Sequence, residues 1–183
     1  MATLAAAVAA FAGLAALQLS SAETPNVVTW PFGMTEVLVA RTYQEEAVDK
    51  KIALLERATA ASPVRALPKR LLAQAYLDAD GRVTPRVIAA LKESYDRMPV
   101  SREDAPERLR LAFRIWPDLP EEVRAQVDNE LNLYMWRPEY LIDMERYAET
   151  LGGEARGHLS GAVFMRRIMN QVEADDARAS SAP

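Results

Sequence analysis

The hydrophobic pattern of this chain changes once. From Ala2 to Leu19 it is uncharged and almost wholly apolar, with Thr3 and Gln18 the polar exceptions. From about residue 34 onward, apolar residues recur every three or four positions among charged ones, the signature of amphipathic helices. Thr35 to Ala61 reads as one long helix, or as two that break near Tyr43 to Glu46. Thr35 can cap its start, and Val48, Ile52, Leu55 and Thr59 form its stripe. The next helix covers residues 65–78 and stops at the Asp80-Gly81 turn. Thr84-Pro85 has the N-cap and first-position proline pattern, and its helix carries Val87, Ile88, Leu91 and Tyr95 to about Met98-Pro99. Ser101 is placed to cap a further helix, with Leu109, Ala112, Phe113 and Trp116 apolar; Pro106 is tolerable only at its start. Three more helices are predicted: Leu119-Pro120 to about Trp136, Glu139 to Leu151, and about Arg156 to Ala174. No convincing strand is present, except around Val27-Val28, and the fold class is all-α.

The uninterrupted run reads as an N-terminal transmembrane or signal helix, with an Ala-rich helix buried in a soluble protein as the remaining alternative. It is about 18 residues long, near the lower limit for crossing a bilayer, and rich in alanine. Ser20 and Ala22 fit the small positions of a cleavage site, which leaves a secreted or periplasmic product cut after Ala22 as the alternative to a retained anchor. No basic residue precedes Arg41, so flanking charge does not set the orientation. The expected layout is an anchor or signal at 1–22, a linker at 23–33, a helical domain at 34–174 and a flexible tail at 175–183. The signal-like flank places residues 23–183 on the non-cytoplasmic (periplasmic) side. Ala9, Gly13 and Ala16 would let a second membrane helix approach. Trp30 and Phe32 fit either a membrane-interface anchor or a cap on the following core.

Helices ended by prolines invite a search for repeats. Leu55, Ala58 and Pro63 resemble the second-helix positions and closing proline of a tetratricopeptide repeat, and Leu72, Ala73 and Tyr76 resemble its first-helix positions. The spacing from Pro63 to Pro99 is two residues longer than the family period of about 34. The family's alanine position falls on Ser94 and its tryptophan position on Lys69. The likeness covers residues 47–99. It implies a stack of antiparallel helical hairpins with a groove for a protein partner, and no chemistry.

Charge narrows the function. The chain has 22 basic and 26 acidic residues, a net −4, and no basic tract, which argues against nucleic acid. There is no cysteine, and no Gly-rich phosphate loop among seven glycines. Asp78, Asp80 and Gly81 begin like a calcium loop, but Arg82 follows and Ala89 stands at the twelfth position. The lone histidine, His158, has Ser160 nearby but no nucleophile elbow, so no catalytic residue, metal or cofactor is assigned. Tyr134, Trp136, Arg137 and Tyr140 at a helical corner, with Tyr76 and Tyr95, are candidate partner-binding residues, because such side chains form interface hot spots, while helical periodicity equally accounts for Tyr134 and Tyr140 as packing of the corner's core. Phe164 to Met169 is a second candidate surface. The reading that follows is a membrane-anchored interaction or scaffold module, an accessory subunit of a membrane or cell-envelope complex. The alternative is an exported soluble helical protein with an enzymatic role, whose pocket would gather Arg97, Arg114, Glu130 or His158.

Overall fold

The computed structural model describes residues 34–181. In chain order these form α1 (Met34–Thr42), α2 (Val48–Ala61), α3 (Ala66–Asp80), α4 (Pro85–Arg97) and α5 (Ala105–Arg114). A 3-10 turn (Trp116–Asp118), α6 (Glu121–Tyr134), α7 (Pro138–Thr150) and α8 (Gly153–Ser181) follow. Among the described residues there is no strand, and the fold is all-α. The apolar run and linker, with Ala9, Gly13, Ala16, Trp30 and Phe32, lie outside the described residues. Among the described residues no helix is long and apolar enough to cross a membrane.

Proline sets most boundaries. Pro85 and Pro138 occupy first helical positions, where the missing N–H costs nothing. The segment 35–61 is two helices, parted between Thr42 and Val48. Ser101 does not cap α5. Instead its hydroxyl accepts from the Asp104 amide (3.2 Å) in a turn that precedes the helix. A regular helix begun at Ser101 would place Pro106 in its interior, so α5 starts only at Ala105. Thr84 holds the N-cap position of α4, but its hydroxyl donates to Asp80 (2.9 Å) rather than accepting from the helix. The last helix runs on to Ser181, past Ala174, so residues 175–181 are helical rather than an irregular tail.

One apolar core joins α3 through α8, from Ala73 and Leu77 to Leu159 and Val163. Leu38, Val39 and Ala58 form a smaller cluster that attaches the α1–α2 hairpin to Leu71 of α3. Neighbouring helices pack pairwise as α1 on α2, α2 on α3, α3 on α4, α5 on α6 and α7 on α8. The longer-range packing of α4 on α6 and α5 on α8 closes the body.

The α3–α4 turn depends on Gly81, whose φ of 63° is left-handed and follows the last helical residue. Open space surrounds it, so an added Cβ would meet only backbone strain. Gly81→Ala is expected to destabilise the domain by about 1 kcal/mol, read as a lower urea midpoint at unchanged slope.

Candidate functional site

The α6–α7 corner builds a groove of about 330 Å³ against the loop that leads into α5. Val100, Ser101 and Arg102 form one wall; Leu133, Tyr134, Trp136, Arg137 and Tyr140 form the other. The Tyr134 and Tyr140 rings stack with centroids 4.2 Å apart and planes 4° from parallel. Trp136 is 65 % exposed, an unusual state for the side chain with the most apolar surface to hide. Arg166 of α8 lies 5.3 Å from its ring centroid. Burial, and then the Asp143 carboxylate, push the Tyr134 phenol up to about 12, so it remains a neutral donor at physiological pH.

The floor is rigid and charged. Arg108 and Glu130 are both fully buried and pair directly. The Arg108 Nε donates to Glu130 Oε2 at 2.9 Å, and its Nη1 donates to the Met98 and Ser94 carbonyls at 2.7 and 3.1 Å. The Ser101 amide donates to Glu130 Oε1 at 2.9 Å. One pair thus binds the end of α4, the loop beside the groove, α5 and α6. Tyr95 lies under the guanidinium, 4.1 Å from ring centroid to Cζ. On the far side of α5, Arg110 donates to both oxygens of Asp143 at 2.9 and 3.0 Å, fixing α7.

Four of the six partner-binding candidates, Tyr134, Trp136, Arg137 and Tyr140, therefore line one groove. The other two do not. Tyr95 is fully buried, so it cannot meet a partner; an aromatic at helical spacing on α4 faces the core. Its phenol is held well above its usual range by burial, reinforced by Glu130. Tyr76 is half-buried between α2 and α4, donating to Glu56 (2.9 Å) beneath Arg86. Periodicity did not single out the Arg108–Glu130 pair, although a signal was present. Glu130 falls on the Val123, Val127, Leu131 and Tyr134 stripe of α6, where a charge must find a buried partner.

The groups named for an enzymatic pocket do not converge. Arg97 lies 3.9 Å from Glu93, Arg114 lies 4.0 Å from Asp78, and Glu130 belongs to Arg108. His158 Nε2 contacts Asp128 Oδ1 at 2.7 Å while its ring stacks on Trp116 at 4.4 Å. Ser160 lines a different groove, with Glu145 and Arg167. Among the described residues no cluster of three or more His, Asp or Glu is gathered to hold a metal.

No family model, curated protein or solved structure matches this chain.

Proposed function

We propose that the chain is a helical docking module, held at a membrane by residues 1–22 and presenting its domain on the non-cytoplasmic side to a protein partner. The apolar run supports the tether. One observation carries the docking role: Trp136, Leu133 and Val100 stand exposed around a preformed groove whose floor is pinned by the Arg108–Glu130 pair. Exposed aromatics on a rigid base bind with little ordering cost. Arg102 and Arg137 at the rim select a segment that carries a carboxylate beside its apolar anchor. The helical hairpins fit a tetratricopeptide-like scaffold in an envelope or membrane assembly.

The test is photo-cross-linking in native membranes, with a photoreactive phenylalanine analogue at Leu133 and, as a control, at the exposed Ala125 of the same helix. Leu133 is expected to trap a discrete partner and Ala125 none. Trp136→Ala should cut the adduct about tenfold or more, as loss of a hot-spot aromatic does. Equal labelling from both positions, or an adduct indifferent to Trp136, would overturn the proposal.

A further inference from the structure

A second groove, of about 280 Å³, opens at the other end of the domain. Thr35 and Val39 of α1, with Tyr43 just past its end, form one wall; Arg65, Leu67 and Pro68 at the start of α3 form the other. Tyr43 is 70 % exposed and Leu67 is partly so, although both are apolar over most of their surface. The two charged residues of the lining, Glu36 and Arg65, pair with each other, so the groove is electrically neutral. Thr35 is almost wholly buried, yet its hydroxyl finds no hydrogen-bond partner among the described residues. A buried hydroxyl left unpaired is costly, so the groove lacks one polar neighbour as well as an apolar cover.

The chain carries a segment of matching character at the mouth of this groove. Residues 24–33 lie outside the described residues and lead directly into Met34, the first residue of α1. They hold no charge, and Trp30 and Phe32 are their largest side chains. Pro31 disfavours helix at Trp30 and so favours an extended segment. Gly33, without a Cβ, admits a reversal of direction just before α1. The lengths agree. Thr35 to Tyr43 rises about 12 Å along a helix, and four extended residues span about 13 Å. A segment joined to the groove's own wall is also present at an effective concentration on the order of millimolar, which an external ligand must exceed.

We infer that residues 30–33 turn back at Gly33 and lie antiparallel along α1 in this groove, Phe32 between Val39 and Leu67 and Trp30 against Tyr43. The backbone of the returning segment then partners the Thr35 hydroxyl. Trp30 and Phe32 close over the small cluster of Leu38, Val39 and Ala58 instead of resting at a membrane surface. One consequence rests on the tether proposed above, although the docking itself does not. Only residues 23–29 would separate the apolar run from the domain, which holds α1 within about 23 Å of the bilayer.

The chain has three tryptophans, Trp30, Trp116 and Trp136. Full-length protein labelled with 5-fluorotryptophan, in neutral detergent, should therefore give three fluorine resonances, and Trp30→Phe identifies one of them. That resonance is expected to move by more than its linewidth in Leu67→Glu and in Tyr43→Ala, and to stay in place in Ala125→Glu on the exposed face of α6. Leu67 and Tyr43 are exposed, so both variants should keep their far-ultraviolet circular dichroism. Trp30→Ala and Leu67→Ala should each lower the melting temperature, and the double variant should lose less than the sum. A Trp30 resonance indifferent to Leu67→Glu would overturn the inference. Broadening by spin-labelled lipid would then place Trp30 at the membrane surface, and a sharp line would mean a free linker. A Trp30→Ala variant that melts with the unaltered protein would overturn it as well. The α6–α7 groove stands or falls separately, since its test reads Leu133 and Trp136.

Discussion

Glu130→Ala is expected to lower the unfolding free energy by about 3–5 kcal/mol, the usual result of removing one partner from a buried ion pair. The loss arises mainly from what remains. The Arg108 guanidinium would stay fully buried with two backbone carbonyls as acceptors and no counter-charge. The Ser101 amide would lose its acceptor as well. Against a typical domain stability of about 5–15 kcal/mol, this is a large fraction. Arg108→Met combined with Glu130→Leu should be milder, about 1–3 kcal/mol, because no charge is stranded and only backbone groups lose partners. Urea unfolding followed by circular dichroism distinguishes these outcomes. A Glu130→Ala loss below about 1 kcal/mol would show that water reaches the pair. The same substitution should loosen the loop from Met98 to Arg102 and so erase the cross-link from Leu133, although Glu130 itself is buried.

The sequence was most legible where a local rule acts alone. Prolines at Pro85, Pro106, Pro117 and Pro138 marked helix starts and ends to within a few residues, because a ring without an N–H is excluded from helix interiors whatever surrounds it. The corner from Tyr134 to Tyr140 was also legible, since a break between two amphipathic helices must bring their flanking aromatics together. Three features were hidden. Tyr95 has the side chain of an interface hot spot, but it continues the apolar stripe of α4 and is enclosed in the core. Arg108 and Glu130 lie far apart in sequence, and no helix-level pattern pairs them. The end of α8 lies well past its last apolar residue, because polarity alone does not end a helix. The alanines at 174, 177 and 179 favour helix, and neither glycine nor proline intervenes before Pro183.

Trp116→Ala should cost a further 3–5 kcal/mol or so, the range for emptying a buried aromatic site. Trp116 sits in the 3-10 turn between α5 and α6, almost wholly buried. Phe113 stacks on it at 5.0 Å, His158 at 4.4 Å, and the Arg124 guanidinium lies 5.2 Å from its ring. The turn and α5 together hold the middle of the chain to α8, so the damage should be local as well as global. Hydrogen exchange is expected to rise most across residues 155–163, and less in the α3–α4 hairpin. Because the indole Nε1 has no hydrogen-bond partner, Trp116→Phe sacrifices volume and no bond, and should cost under half as much. His158→Ala should remove the stacking energy, about 1 kcal/mol. Combined with Trp116→Ala it should add almost nothing, since the ring it stacks on is already gone. Additive losses in that double variant would mean that Asp128, not Trp116, holds His158 in place. The anchoring of α8 would then depend on the part-buried His158–Asp128 hydrogen bond, and the end of the helix would be held from a looser base.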